Sequence, residues 1–229
     1  MEVVVAQEQH IEYSEQICQM IEKAARDRGT GIAKRSPSYI KSKIVEGKAV
    51  IALDNKNCAG FCYIESWAHG KYVANSGLIV SPEFRKSGLA KKIKRAVFEL
   101  SLEKYPKAKI FGITTSLAVM KINAGLGYQP VTFSELTDDE AFWNGCQSCK
   151  NYDILTRTNR AYCLCTGMLY DPQKQKQVKE TSKDRWKRFL RFLKYKKVKV
   201  TRNIAASLKM ASVAITFNIF QILQFLKNT

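Results

Sequence analysis

Two common nucleotide-binding loops are missing from this sequence. It contains neither the Gly-x-x-x-x-Gly-Lys-Ser/Thr loop of P-loop proteins nor the Gly-x-Gly-x-x-Gly loop of dinucleotide-binding folds. We also find no internal repeat along the 229 residues. These absences argue against a P-loop NTPase, a dinucleotide-dependent enzyme and a repeat protein.

Acidic residues are scarce as well. The 20 Asp and Glu residues stand against 38 Lys and Arg residues, for a net charge of +18. The imbalance is concentrated in residues 173–229, where 15 basic residues face only Glu180 and Asp184. Residues 1–172 carry a net charge of only +5. The strongly basic character therefore belongs to a C-terminal segment.

No export signal is recognisable at the N-terminus. Met1–Ala6 is too short and too acidic for a signal peptide, so we expect a cytoplasmic protein. In that compartment the seven cysteines are expected to be thiols or metal ligands and not disulfides. The chain is long enough to bury one complete core, with residues left over.

What the sequence does contain is an ordered series of strand and helix patterns. Apolar and β-branched runs predict strands, and apolar residues at helical spacing predict helices. We expect strands over 3–6, 49–53, 58–66, 72–80, 109–114 and 129–133, and helices over 10–28, 36–47, 89–105 and 116–126.

The most informative stretch runs from Gly77 to Ala90 and reads as a strand, a polar turn and a helix start. Its turn, Arg85-Lys86-Ser87-Gly88-Leu89-Ala90, has the form Arg-x-x-Gly-x-Ala. Gly88 lets the backbone turn without a Cβ clash, and Ala90 keeps the first helical turn narrow. The N–H groups of such a turn lack partners within the helix, and the helix dipole adds positive charge. We therefore predict a pyrophosphate site at these six residues.

At these residues the sequence resembles the GNAT superfamily of acyl-CoA N-acyltransferases, whose pyrophosphate loop reads Gln/Arg-x-x-Gly-x-Gly/Ala. The order of predicted elements over residues 3–135 also matches this superfamily. Gly125-Leu126-Gly127-Tyr128 is similar to the Leu-Gly-Phe/Tyr ending of its helix beside the acyl-CoA. The resemblance implies an α/β GNAT domain over residues 1–135, with a mixed, mostly antiparallel sheet and helices on both faces. It implies acetyl-CoA or succinyl-CoA as co-substrate.

The same resemblance implies roles for several residues of the reaction site. The backbone of Leu78, Ile79 and Val80 would pair with pantetheine and donate an N–H to the oxyanion; a plain buried strand is the alternative. The strand over 72–80 contains no carboxylate, and Asn123 occupies the position of the frequent thiolate-protonating tyrosine. Glu65 and His69 are then the nearest candidate bases, acting through water; solvated side chains without a role are the alternative.

The acceptor is less visible in the sequence. Lys34-Arg35 and Lys41 to Lys43 flank the second helix, which often covers the acceptor site in this superfamily. Arg35 is our candidate for binding a carboxylate of the substrate, and a solvated helix face is the alternative. Residues 1–172 also resemble bacterial stand-alone GNAT proteins of arginine biosynthesis, through the segments 143–146 and 163–170.

That narrower resemblance implies N-acylation of glutamate from acetyl-CoA or succinyl-CoA. Two alternatives remain open. One is a GNAT acetyltransferase of a peptide, polyamine or antibiotic amine. The other is a non-catalytic CoA-binding module whose basic tail binds nucleic acid or membrane.

Four cysteines cluster in a predicted extension over residues 136–172. Cys146 and Cys149 are followed after thirteen residues by Cys163 and Cys165. Four thiols at such spacings predict a structural zinc site, with free or redox-active thiols as the alternative.

Residues 173–229 are predicted to form a basic amphipathic tail. Trp186, Phe189, Leu190 and Leu193 recur at helical spacing among Lys and Arg residues. A helix docked on its own domain, or on a second subunit in a homodimer, is favoured over contact with nucleic acid or an anionic membrane.

Overall fold

The computed structural model describes residues 1–28, 34–147, 149, 151–175 and the four positions 184, 186, 187 and 190. The chain divides into two compact units, Met1–Gln175 and Lys176–Thr229. Apart from those four positions, the predicted basic tail beyond Gln175 lies outside the described residues.

A seven-stranded sheet forms the centre of the first unit. Its strands are β1 (Glu2–Val5), β2 (Ala49–Asp54), β3 (Asn57–Trp67), β4 (Tyr72–Val80), β5 (Lys109–Thr114), β6 (Gln129–Val131) and β7 (Thr166–Tyr170). They lie in the order β1-β2-β3-β4-β5-β7-β6. Of these neighbours only β4 and β5 are parallel, while the other pairs are antiparallel. The predicted mixed, mostly antiparallel α/β sheet is confirmed.

Six helices accompany the strands in the described part of this unit. They are α1 (Ser14–Arg28), α2 (Pro37–Val45), α3 (Leu89–Lys104), α4 (Leu117–Gly125), α5 (Glu140–Asn144) and α6 (Tyr152–Arg157). Local signals explain where two of them begin. The Ser36 hydroxyl accepts a hydrogen bond from the Tyr39 N–H before α2, and the Ser116 hydroxyl accepts one from the Val119 N–H before α4.

Apolar side chains cover the sheet on both faces. On one face, Ile17 and Ile21 of α1 and Ile40 of α2 pack against Phe61 of β3. On the other, Ile93 and Val97 of α3 pack against Ile64 and Ile110. The helices therefore lie on both faces of the sheet, as predicted.

The cysteine-bearing extension is part of this unit. Strand β7 of the extension lies between β5 and β6 and pairs with both. Phe142, Trp143 and Leu155 of the extension join Phe111 and Leu169 in a third apolar cluster. The sequence-based boundary at residue 135 thus falls inside one compact unit, and β7, α5 and α6 were not predicted. Within the described residues no helix is long and apolar enough to cross a membrane.

Candidate active site

The two parallel strands diverge at the centre of the sheet. Tyr72–Ala74 of β4 pair with Lys109–Phe111 of β5, and the pairing ends there. The edge of β4 that faces β5 beyond Ala74 therefore carries backbone groups with no strand to pair with. A cavity of about 650 Å³ opens in this split. Residues Asn75–Ile79 of β4 and 112–115 on the β5 side line it.

A β-bulge kinks β4 beside the cavity. Phe61 pairs with Ile79 and Tyr63 with Ser76, so β4 contains one more residue than β3 in this interval. Gly77 adopts a φ of +64°, and a Cβ atom there would lie 2.4 Å from Cε1 of Tyr63. The bulge therefore requires glycine for both its conformation and its space.

The predicted acyl-CoA-binding strand residues lie at this bulge. Leu78 and Ile79 line the cavity. The carbonyl of Val80 instead accepts a hydrogen bond from Nε of Arg85 over 3.3 Å. The free edge of β4 can pair with an extended ligand in the way that a strand adds to a sheet.

The predicted pyrophosphate loop forms the N-terminus of α3. Gly88 is its N-cap, with a φ of +81°, and its carbonyl accepts hydrogen bonds from the N–H groups of Lys91 and Lys92. Ser87 closes the turn by donating to the Phe84 carbonyl over 2.7 Å. The N–H groups from Lys86 to Ala90 bond no acceptor in the described part of the chain, which suits them to an anion.

A cation, Arg35, lines the cavity just before α2. Nε of Arg35 donates to the Tyr63 hydroxyl over 2.6 Å, and Nη1 donates to the Lys34 carbonyl over 3.0 Å. The guanidinium also lies 5.3 Å from the centroid of the Tyr39 ring. Two aromatic rings and two hydrogen bonds thus fix Arg35, and Nη2 bonds no other described residue.

Glu65 of β3 also lines the cavity, within electrostatic range of Arg35. Burial raises the pKa of its carboxyl to about 7, and the Arg35 guanidinium acts in the opposite direction. Nζ of Lys43 lies 3.0 Å from Oε2 of Glu65 and also favours the ionised form. Glu65 can therefore exchange a proton near neutral pH, as a general base requires.

The other two predicted catalytic residues have different surroundings. His69 lies in the exposed turn Ala68–Gly70 and does not line the cavity. Asn123 of α4 does line it and is 1% exposed. Its Nδ2 lies 3.8 Å from Sδ of Met168, and its Oδ1 has no partner among the described residues.

Three buried polar residues around the split, Asn75, Lys94 and Ser101, were not identified from the sequence. Asn75 of β4 donates to the Ser101 hydroxyl over 2.7 Å and accepts from the Tyr128 hydroxyl over 2.9 Å. Lys94 of α3 lines the cavity, is 2% exposed, and places Nζ 5.3 Å from the centroid of the Tyr128 ring. The signal for Lys94 was its place beside the buried Ile93 in the apolar stripe of α3.

All four cysteines of the extension line the cavity. Burial raises the pKa of Cys146 to about 11 and of Cys165 to about 12, and charge on neighbouring cysteines adds to both shifts. The thiols are therefore close enough to influence one another. Among the described residues, however, no group of three or more His, Cys, Asp or Glu side chains could hold a metal ion. The zinc site stays a prediction.

Comparisons with known proteins agree with this geometry. Residues 15–120 match the Acetyltransferase (GNAT) family, while no curated protein matches the chain. N-acetylglutamate synthase from Neisseria gonorrhoeae, solved with coenzyme A and N-acetyl-glutamate, has a TM-score of 0.53 at 16% identity, covering 74% of this chain and 34% of that one. The present chain thus spans about a third of that enzyme.

Two further solved structures match over most of their own length. A Mycobacterium tuberculosis protein in complex with CoA and NLQ has a TM-score of 0.53 at 13% identity, covering 75% of this chain and 99% of that one. A Salmonella typhimurium protein with its cofactor acetyl-CoA has a TM-score of 0.53 at 12% identity, with coverages of 75% and 94%.

At such identities these structures show the shared fold alone. The family match covers α1 to the start of α4, which includes the β4 bulge, the split between β4 and β5, and the loop before α3. The predicted resemblance is confirmed for this part of the chain: residues 15–120 form a domain that matches the Acetyltransferase (GNAT) family.

Proposed function

We propose that this enzyme transfers an acetyl or succinyl group from CoA to the α-amine of a small acidic amino acid. Glutamate is the favoured acceptor, which would place the reaction in arginine biosynthesis. The observation that carries the proposal is Arg35, a fixed cation in the cavity with one guanidinium nitrogen unused by the described residues.

The charge around Arg35 favours an acceptor that bears a carboxylate. A guanidinium binds carboxylates through parallel hydrogen bonds, and the pair gains strength where water is partly excluded. Lys34 lines the same part of the cavity, and Lys43 lies beside Glu65. A polyamine or an aminoglycoside would bring further positive charge to this region, which is unfavourable.

The geometry also suits the reaction itself. In our proposal Glu65 takes a proton from the acceptor amine, directly or through a water. The neutral nitrogen attacks the thioester carbonyl, and a backbone N–H at the β4 bulge stabilises the oxyanion. The C–S bond then breaks, and CoA leaves as a thiolate that must gain a proton.

The N. gonorrhoeae structure is consistent with an acidic acceptor, because it contains coenzyme A and N-acetyl-glutamate on the same fold. At 16% identity it does not identify the acceptor of this chain. The acceptor assignment therefore rests on Arg35 and must be tested there.

The test is CoA thiol release from acetyl-CoA and succinyl-CoA across a panel of amino acids, polyamines, aminoglycosides and peptides. We expect turnover with glutamate. Arg35→Ala should raise KM for glutamate roughly 10–100-fold, since charged hydrogen bonds contribute about 1.5–3 kcal/mol. Arg26→Ala is the matched control, because Arg26 lies on the exposed face of α1 and pairs with Glu22 outside the cavity.

An acceptor without carboxylates sharpens this test. A glutamate diester should be a poor substrate of the parent, and Arg35→Ala should not weaken it further. Turnover with peptides or aminoglycosides and none with glutamate would overturn the acceptor and keep the N-acyltransferase. No turnover across the panel, with CoA still bound, would favour the non-catalytic CoA-binding module.

A further inference from the structure

A buried lysine without a counter-ion is an unusual element of this fold. Lys94 is 2% exposed on a helix whose inward residues are otherwise largely apolar. Among the described residues its ammonium group forms no ion pair, and its Nζ lies 5.3 Å from the centroid of the Tyr128 ring. Burying a charge without an ionic partner costs stability, so a lysine at this position points to a role other than stabilising the fold.

The position of Lys94 along α3 places it beside the β4 bulge. Ser101, on the same helix, is hydrogen-bonded to Asn75 of β4. Seven residues of helix separate Lys94 from Ser101, about 10 Å. The same distance along β4 corresponds to about three residues, from Asn75 to Leu78.

An electrostatic interaction also supports this placement. The charge of Lys94 interacts with Cys62 of β3, and Sγ of Cys62 lies 3.2 Å from the carbonyl oxygen of Ser76 at the bulge. Lys94 and the bulge also line the same cavity. The ammonium group is therefore at the level where the proposed function places the thioester.

We infer that Lys94 is the proton donor to the departing CoA thiolate, an inference that rests on the proposed function. As the amine nitrogen bonds to the carbonyl carbon, the C–S electron pair moves to sulfur, and Nζ of Lys94 transfers a proton to it. The products are the amide, CoA thiol and a neutral lysine, which regains its proton from solvent. The proton lost by the amine goes to Glu65.

The other buried polar groups here are less suited to this step. Asn123 carries no transferable proton, although its unpartnered Oδ1 can orient the ammonium or the ligand. Burial raises the pKa of Tyr128 well above its usual value, and its hydroxyl already donates to Asn75. Burial raises the pKa of Cys62 to about 11. Burial lowers the pKa of Lys94 to about 8, close to that of a thiol.

The first test is the pH dependence of kcat in the parent and in Lys94→Met, at saturating acceptor. We expect the parent rate to fall as pH rises above about 8, because the donor loses its proton. Lys94→Met should lower kcat at least tenfold and abolish that fall, while the Kd for acetyl-CoA changes less than threefold. Lys94→Arg should keep the charge and shift the fall to higher pH.

The matched control is Arg95→Met, which removes an exposed cation from the adjacent position of α3. We expect its kcat and pH profile to equal those of the parent. Methionine fits the apolar surroundings of Lys94, so the thermal midpoint of Lys94→Met should not fall. A parent-like kcat and pH profile in Lys94→Met would overturn the inference, as would a loss of acetyl-CoA affinity that accounts for the whole rate loss.

A second measurement needs no acceptor and separates this inference from the proposed function. The pKa of the thiol of bound CoA can be followed by the ultraviolet absorbance of its thiolate. A nearby ammonium favours the thiolate, so Lys94→Met should raise that pKa by about one unit. If glutamate fails as an acceptor but this shift is present, only the acceptor assignment fails. An unchanged thiol pKa, or no binding of CoA, overturns the role of Lys94.

Discussion

Nε of Arg35 donates a hydrogen bond to the Tyr63 hydroxyl over 2.6 Å, which links the segment before α2 to the centre of β3. The same tyrosine ring fills the space beside Gly77 at the β4 bulge. One side chain thus fixes the cation proposed for the acceptor and also supports the strand proposed for the acyl donor.

Tyr63→Phe keeps the ring against Gly77 and removes the hydroxyl. We expect the free energy of unfolding to fall by about 1 kcal/mol, the net contribution of one hydrogen bond. KM for glutamate should rise several-fold with kcat unchanged, since only the orientation of Arg35 is affected. Tyr162→Phe, at an exposed site, is the control. A fall in kcat at unchanged KM would instead place Tyr63 in the chemical step.

Local sequence signals predicted much of the fold. Ser36-Pro37 and the Gly88 turn specify helix starts within a few residues, and both helices begin where these signals place them. The strands over 49–54 and 72–80 were visible because their apolar and β-branched residues form compact runs. Such signals act within one element and need no knowledge of its neighbours.

Long-range contacts account for what the sequence did not reveal. Residues Thr166–Tyr170 become a strand because β5 and β6 leave a place between them, far away in the sequence. The apolar stripe of α3 indicates that Lys94 is buried, but only the placement of α3 on the split sheet shows that it lines the cavity. His69 was a candidate base because it follows the strand that contains Glu65, but its side chain is exposed to solvent.

The loop before α3 is tested by Gly88→Asp. The substitution adds a negative charge where we expect the pyrophosphate, so CoA should bind at least tenfold more weakly by calorimetry. Gly88→Asn is the matched control, because asparagine has a similar size, tolerates the left-handed φ of +81° and carries no charge. Equal affinities of the aspartate variant and the parent would show that the pyrophosphate binds elsewhere.

The role of Glu65 predicts a pH dependence of activity. Since burial raises its pKa to about 7, kcat should rise with pH as the carboxylate forms near neutrality. Glu65→Gln should lower kcat by roughly 10²–10⁴ and remove that rise. Glu46→Gln is the control, because Glu46 pairs with Lys48 at the surface. A parent-like rate in Glu65→Gln would assign the base to another group.

The same shift has a consequence for stability. The folded chain holds the Glu65 proton more tightly than the unfolded chain, whose carboxyl has a pKa near 4.5. The stabilisation from Glu65 is therefore complete below pH 4.5 and is lost as pH rises to about 7. Urea unfolding of the parent and of Glu65→Gln should show a difference that changes across this interval. A difference that is constant with pH would contradict the raised pKa.

The second unit, Lys176–Thr229, is predicted to be dispensable for catalysis. Truncation after Gln175 keeps the sheet, the cavity and the hydrogen bond from the Gln175 side chain to the Gly127 carbonyl. We expect the Kd for acetyl-CoA and the kcat to stay within about twofold of the parent. Loss of CoA binding in the truncated chain would mean that the basic segment is integral to the site.

The four cysteines of the extension are predicted to bind one structural zinc ion. Zinc requires thiolates, and burial raises the pKa of Cys146 and Cys165, so binding should release protons and weaken as pH falls. Protein purified without added metal should contain about one equivalent of zinc per chain. Cys149→Ser and Cys165→Ser should lose it, whereas Cys18→Ser, outside the cavity, should keep it. Metal-free protein in which all four thiols react with a thiol reagent would instead support free cysteines lining the cavity.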